Sequence, residues 1–320
     1  MKDIRISVII PVYNIQEYLP MCLDSCQRQS YDNVEFICVN DGSTDSSPKI
    51  AGRYAAQNGR FKVIHKENGG LSSARNAGLE AATGNWVMFL DGDDCLKDGA
   101  VETLAKVIED SRGAEIIIFS ADTFPSSIDE EKWFKKTLQF ESVFYDSFSP
   151  KVLFEERGAM PFVWRHAYCA ALLARSGVRF DEGVRYGEDV IFPMSIFPQA
   201  EGFAFTDKCL YNYRLNREGS LTGNIFADAD RVVWNHIETI RHVADFWQEK
   251  GWINKYGEHF LFWTMKFVIL KIRKLKGAQR KARTKEFFDD IIFGYGLEKY
   301  RRKLNLTGMA MWLCLVIMKG

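Results

Sequence analysis

Three carboxylates arrive together in Asp91-Gly92-Asp93-Asp94, directly after the apolar run Trp86-Val87-Met88-Phe89-Leu90. Such a run reads as a buried strand. An isolated buried carboxylate is costly, and like charges this close raise one another's pKa. A cation should meet them, and a hard divalent ion with oxygen ligands is the simplest candidate. Alone, the triplet also fits an exposed turn, because Asp-Gly is a favoured turn dipeptide. Two other acidic sites stand at comparable places. Asp41 follows the apolar run Val34–Val39 within Asn40-Asp41-Gly42-Ser43-Thr44-Asp45, and Glu188-Asp189 opens the apolar stretch Val190–Phe197.

The elements that must position these acids follow from the pattern. Ile4–Val12, Val34–Val39, Phe61–His65, Trp86–Leu90 and Ala114–Ser120 read as strands. Helices are expected over Glu17–Gln29, from the Ser43 or Asp45 cap to about Asn58, from Ser72 or Ser73 to Ala82, and over Asp98–Ser111. Strands alternating with helices of this length imply right-handed βαβ units and an α/β fold with a mostly parallel sheet. Ligands of such sheets sit beyond the carboxyl ends of the strands. Asp41 and Asp91–Asp94 both fall there, so they should converge on one cleft.

The pattern then changes. Residues 122–160 are irregular and rich in aromatics (Trp133, Phe134, Phe140, Phe144, Tyr145, Phe148), which suit a lid or a second core layer. A helix is expected over Tyr168–Ser176, and one or two strands over 203–215. Helices follow from Ala227 to Lys250 and from Trp252 to Lys276.

The 320 residues are 47% apolar and 26% charged, an ordinary globular balance with length for a large core. The opening residues are charged and lead straight into a strand, so no signal peptide is expected. Seven scattered cysteines include no C-x-x-C pair, which favours a reducing compartment over a disulfide framework or a zinc site. Net charge is zero, yet Lys271 to Lys303 holds twelve Lys/Arg against four Asp/Glu. An acidic surface is the partner this asymmetry suggests.

The order of motifs SVIIPVYN (7–14), NDGSTD (40–45), NGGLSSARNAGL (68–79), FLDGDD (89–94) and GED (187–189) resembles the inverting family 2 glycosyltransferases of GT-A fold. The resemblance covers about residues 4–221. The segment from Trp164 to Phe180-Asp181-Glu182-Gly183 is similar to members that build bacterial cell-surface polysaccharide. It implies a GT-A catalytic domain over 1–222, with a nucleotide-binding half to about 120 and an acceptor half from 121. A C-terminal helical extension, 223–320, follows. It further implies a nucleotide-sugar donor, a UDP-sugar, with Mn²⁺ or Mg²⁺. Pro11 and Tyr13 would wall the nucleoside pocket, Asp41 would bond base or ribose, and Arg75 would lie near the nucleotide. Asp93 would be the metal ligand, Asp91 would face ribose or metal beside Gly92, and Asp94 would support them. Asp189, with Glu188, would be the base, and Arg214 and Arg217 would meet the diphosphate. The family often carries a His in this last loop; none stands between Arg214 and Ser220.

The expected activity is inverting transfer to a glycan or lipid-linked acceptor on the cytosolic face of a membrane. A nucleotidyltransferase would need a Gly-rich, basic triphosphate loop after the first strand, and PVYNIQEYL has neither Gly nor Lys/Arg. An inactive nucleotide-sugar-binding scaffold would not need both Asp93 and Asp189. Nucleic acid is not an expected partner, since the basic run matches no recognisable module. Met309–Met318 is apolar, too short to span a bilayer, and flanked by Arg301, Arg302, Lys303 and Lys319. Either a packed helical cap or attachment of residues 271–320 to anionic lipid would use it.

Overall fold

β-Branched residues write the first strand: Ile6, Val8, Ile9, Ile10 and Val12 lie in β1 (Ile6–Val12), which is buried throughout. Their stiff side chains fit a pleated surface covered on both faces. The computed structural model describes residues 3–125, 137–154, 162–215 and 228–319, and the chain divides into two compact units, Met1–Leu215 and Asn216–Gly320.

In the first unit, β2 (Val34–Asp41), β3 (Phe61–Lys66) and β4 (Trp86–Phe89) join β1 in the parallel order β3-β2-β1-β4. The crossovers are α1 (Leu19–Gln27), α2 (Ser47–Gln57) and α3 (Leu71–Ala81). Beyond β4 come β5 (Cys95–Leu96), α4 (Ala100–Asp110), β6 (Ile116–Phe124), β7 (Val143–Tyr145) and α5 (Pro150–Phe154). Then follow β8 (His166–Cys169), α6 (Ala170–Ser176), α7 (Glu188–Ile196) and β9 (Phe203–Arg214). The sheet continues β4-β8-β6-β9-β5, with β7 also on β9, and in this half only β6 and β9 are parallel. The α/β fold is the expected one, with its parallel character concentrated in β1 to β4.

One local expectation changes. Tyr168 belongs to a strand, because His166–Cys169 pairs with both β4 and β6 and tertiary pairing outweighs helical spacing. Residues 203–214 form one long strand, its register against β6 shifting around Ser120. Phe140 and Tyr145 pack on Phe205, and Phe148 on Phe203, as a layer over β9. Trp133 and Phe134 lie outside the described residues.

The second unit is helical. α8 (Ala229–Glu249) starts at Asp228, whose carboxylate accepts from the amides of Asp230 and Arg231. α9 (Trp252–Ile272) returns after Gly251, and Trp247 stacks on Phe260 at 5.0 Å between ring centres. α10 (Gly277–Glu286) is fastened to α8 by a two-pronged Arg283–Asp230 pair, 2.9 and 2.7 Å. A π-helical turn (Phe287–Phe293) and a 3₁₀ segment (Leu297–Lys303) lead to α11 (Leu306–Lys319). No helix among the described residues is long and apolar enough to cross a membrane.

Candidate active site

The loops at the carboxyl ends of β1, β2 and β4 are tied to one another before any ligand is considered. Asn14, at φ 48°, accepts from the Thr44 amide through Oδ1, and Ser43 Oγ accepts from the Asn14 amide. Asp45 accepts from the Ser47 and Gln16 amides. Gly92 sits where a Cβ would lie 2.3 Å from Ile15 Cδ1 and 3.0 Å from the Pro11 carbonyl oxygen. Only glycine lets the acidic loop after β4 press this closely on the loop after β1. Pro11 is buried beneath it, and Tyr13 is half exposed beside it.

Arg75 is the hub. It lies in α3 with its side chain fully buried. One terminal nitrogen donates to Asp189 Oδ1 (2.7 Å) and Glu188 Oε1 (3.4 Å), and the other to Asp91 Oδ1 (3.0 Å). Its guanidinium carbon lies 5.2 Å from the centre of the Phe180 ring. Asp91 and Asp189, far apart in the sequence, thus share one cation, and a quarter of each of their side chains stays open to solvent. One guanidinium does not neutralise three carboxylates. Burial, with the charge of Glu188 adding to it against the pull of Arg75, pushes Asp189 up to about 7. Burial likewise pushes Asp91 up to about 6, with Asp189 and Asp93 adding to it. Glu188 rises in the same direction, chiefly through burial. Burial works against the charge on Arg75, but the carboxylates outweigh it and hold the guanidinium protonated.

Asp94 turns away from this group. It is buried, accepting from Tyr211 Oη (2.7 Å) and the Arg214 amide (2.6 Å). Burial and the neighbouring Asp93 and Asp91 push it well above the usual carboxylate range. Tyr211 Oη also accepts from the Asp91 amide (3.1 Å), and its ring stacks on Trp164 at 4.4 Å. The Arg214 guanidinium donates to the Asp93 carbonyl (2.7 Å) and lies over the rings of Phe124 and Tyr18. In this state Arg214 braces the acidic loop. Arg217 and Ser220 lie outside the described residues.

Asp41 is turned inward. Its Oδ1 accepts from Lys66 Nζ (2.7 Å) and the Gly69 amide (2.9 Å), and its Oδ2 from the Gly70 amide (2.8 Å). The expected contact with base or ribose would therefore add to a carboxylate that already shapes the Asn68-Gly69-Gly70 loop. Three contributors were not singled out from sequence: Tyr211, Lys66 and Asn76. Asn76 accepts from the Phe180 amide (2.9 Å) and donates to the Phe180 carbonyl (2.9 Å) and Glu182 Oε1 (3.0 Å). It locks the segment leading to Glu188-Asp189 against α3, and its position next to Arg75 was the available signal.

Among the described residues no three His, Cys, Asp or Glu side chains form a metal-holding group. Asp91 and Asp93 supply two carboxylates from one loop, and Asp94 is committed elsewhere. Two carboxylates match a Mg²⁺-type site, which draws its other ligands from phosphate and water. The donor set fits such an ion.

The family model Glycosyl transferase family 2 matches residues 7–169. The chain is 36% identical over 213 residues to the uncharacterized glycosyltransferase EpsJ of Bacillus subtilis, covering 66% of this chain and 61% of that protein. It is similar in fold to S. aureus TarS 1–349 in complex with UDP-GlcNAc, with a TM-score of 0.60 and 19% identity, over 93% of this chain and 92% of that one. It is also similar to the mannosyltransferase PcManGT from Pyrobaculum calidifontis in complex with GDP-Man and Mn²⁺, with a TM-score of 0.56 and 17% identity, over 99% and 87% of the two chains.

Proposed function

The chain belongs to glycosyl transferase family 2, and we propose that it transfers a sugar from a nucleotide-sugar donor, a UDP-sugar, to a glycan or lipid-linked acceptor hydroxyl with inversion, in cell-surface polysaccharide synthesis. One observation carries the reading. A single buried guanidinium, Arg75, joins an acid on the donor-side loop after β4 to an acid in the first turn of α7. Solved structures of this fold hold UDP-GlcNAc and GDP-Man, which supports the donor class.

The residues divide the work. Pro11, Tyr13 and Asp41 border the nucleoside, with Asp41 fixing the loop around it. The acceptor oxygen attacks the anomeric carbon as the bond from that carbon to the diphosphate breaks, and the bonding pair leaves on the phosphate oxygen. Asp189 takes the acceptor proton; a base with its pKa near the working pH is suited to that task. Glu188 raises its proton affinity, and Arg75 orients it. A divalent Mn²⁺ or Mg²⁺, when bound through Asp93 and Asp91, offsets charge on the leaving diphosphate as a Lewis acid. Arg214 keeps Asp93 in position through its backbone, and Arg217 is available to the diphosphate by sequence.

Asp189→Asn tests the assignment. Turnover is expected to fall by about 10²–10⁴, the contribution of a positioned base, while donor affinity by calorimetry stays within a few-fold. Anomeric coupling in the product, read by NMR, should show inversion. Near-normal turnover, or a retained configuration, would remove Asp189 from the role. UDP binding that is equal with and without EDTA would remove the metal.

A further inference from the structure

α11 carries apolar residues on both sides. Gly308, Trp312 and Leu315 face inward and are buried. Leu306, Ala310, Leu313 and Ile317 recur at steps of four, three and four, so they form one stripe along the opposite side. That stripe is open: Leu306 is 92% exposed, Leu313 55% and Ile317 77%, with Val316 beside it at 43%. Phe293, also exposed, lies within reach of the far end, since Lys319 Nζ sits 4.9 Å from its ring centre. Soluble surfaces rarely keep an apolar stripe of this length without a use for it.

Basic residues frame it. Arg301, Arg302 and Lys303 immediately precede α11 and are exposed, and α10, which packs against α11, contributes the exposed Lys281 and Lys285. The acids nearby are largely engaged: Asp289 with Lys319, Asp290 with Arg241 and Glu286 with Arg283. An apolar strip edged by cations matches the boundary between the headgroups and acyl chains of an anionic bilayer.

We propose that the exposed stripe of α11, with Arg301, Arg302 and Lys303, docks this unit on the surface of an anionic lipid membrane, lying in the interface rather than crossing it. A second copy of the chain fits the same surface less well. In a parallel two-fold pairing through the stripe each basic cluster would approach its own image, and like charges there repel. A helix of 14 residues, roughly 21 Å long, also offers less than the roughly 800 Å² per partner of a stable interface. The inference does not depend on the transferase assignment.

The test is co-flotation of the full chain with vesicles of phosphatidylcholine alone or with phosphatidylglycerol, at low and high salt. Binding is expected to the anionic vesicles only, and to weaken as salt rises. Leu313→Glu with Ile317→Glu changes two exposed positions and should lower the partition coefficient about tenfold or more. Arg301→Gln, Arg302→Gln and Lys303→Gln together should do likewise, with unchanged circular dichroism in both variants. Flotation with neither vesicle, or partition unaffected by both variants, overturns the proposal. So does a concentration-dependent dimer in sedimentation velocity that Leu313→Glu abolishes while vesicle binding is absent.

Discussion

The two ends of the first unit's sheet each bury carboxylate chemistry, and they treat it in opposite ways. At the amino-terminal end, Glu35 of β2 is saturated. Its Oε1 accepts from Ser7 Oγ (2.6 Å) and from the amide and hydroxyl of Thr83 (2.7 Å each), and its Oε2 pairs with Lys62 Nζ (2.5 Å). Burial alone would raise its pKa, but these donors outweigh burial and bring it down to about 2. At the carboxyl end, Asp91, Glu188 and Asp189 share Arg75, and their pKa values go up. The difference is one of donor supply. A carboxylate given four donors is a structural clamp, whereas three carboxylates given one cation keep proton affinity that substrates can use.

Arg75→Met should show the contrast most strongly. It leaves three partly buried carboxylates without their cation, so transfer should be abolished and stability at pH 8 should fall by about 3–5 kcal/mol. At pH 5 the deficit should shrink, because acids with folded pKa values near 6 and 7 are then protonated. A urea-midpoint difference that is the same at both pH values would contradict the raised values.

Glu35→Gln makes the opposite case. The folded pKa lies below the unfolded value of about 4.3, so the contribution is present above that pH and is lost as pH falls through about 2. Removing it should cost about 3 kcal/mol at pH 7 and almost nothing near pH 2, without changing transfer by more than its effect on folding. For Asp189 the sign reverses. Its folded value lies above the unfolded one, so its contribution is present below about pH 3.9 and is lost as pH rises through about 7. Asp189→Asn should therefore be at least as stable as the parent at pH 8, although its turnover should be much lower. A variant clearly less stable there would show that Asp189 acts as a clamp like Glu35.

Two smaller effects refine the comparison. The acid limb of kcat/KM should have its midpoint near pH 7, with activity rising as Asp189 loses its proton. Glu188→Gln removes a neighbouring negative charge and should move that limb to lower pH by less than about one unit. A limb that moves up, or does not move, would separate the two acids.

Much of the carboxyl-end chemistry was legible because strand ends announce it. Asp41 and Asp91–Asp94 could be assigned to one cleft from alternating strands and helices alone. The centre of the group was harder to read. Arg75 in a helix resembles any surface cation, and its burial depends on Phe180 and on acids more than a hundred residues away. The Glu35 clamp was invisible for a related reason: Ser7, Lys62 and Thr83 come from three other segments, and no local pattern links them. β8 was missed because its strand state depends on having β4 on one side and β6 on the other.

Tyr211 has a consequence for how the protein opens. Its hydroxyl receives the Asp91 amide and donates to Asp94, and its ring is stacked on Trp164; it belongs to β9, a strand joined to β5, β6 and β7. The acidic turn is therefore fastened to a central strand and cannot fray as surface turns do. The Asp91 amide proton should exchange with deuterium only through cooperative opening of that strand system, on the slow scale of the core. Tyr211→Phe would cut the tether while keeping the ring, and the Asp91 amide should then become an early exchanger in an otherwise protected sheet.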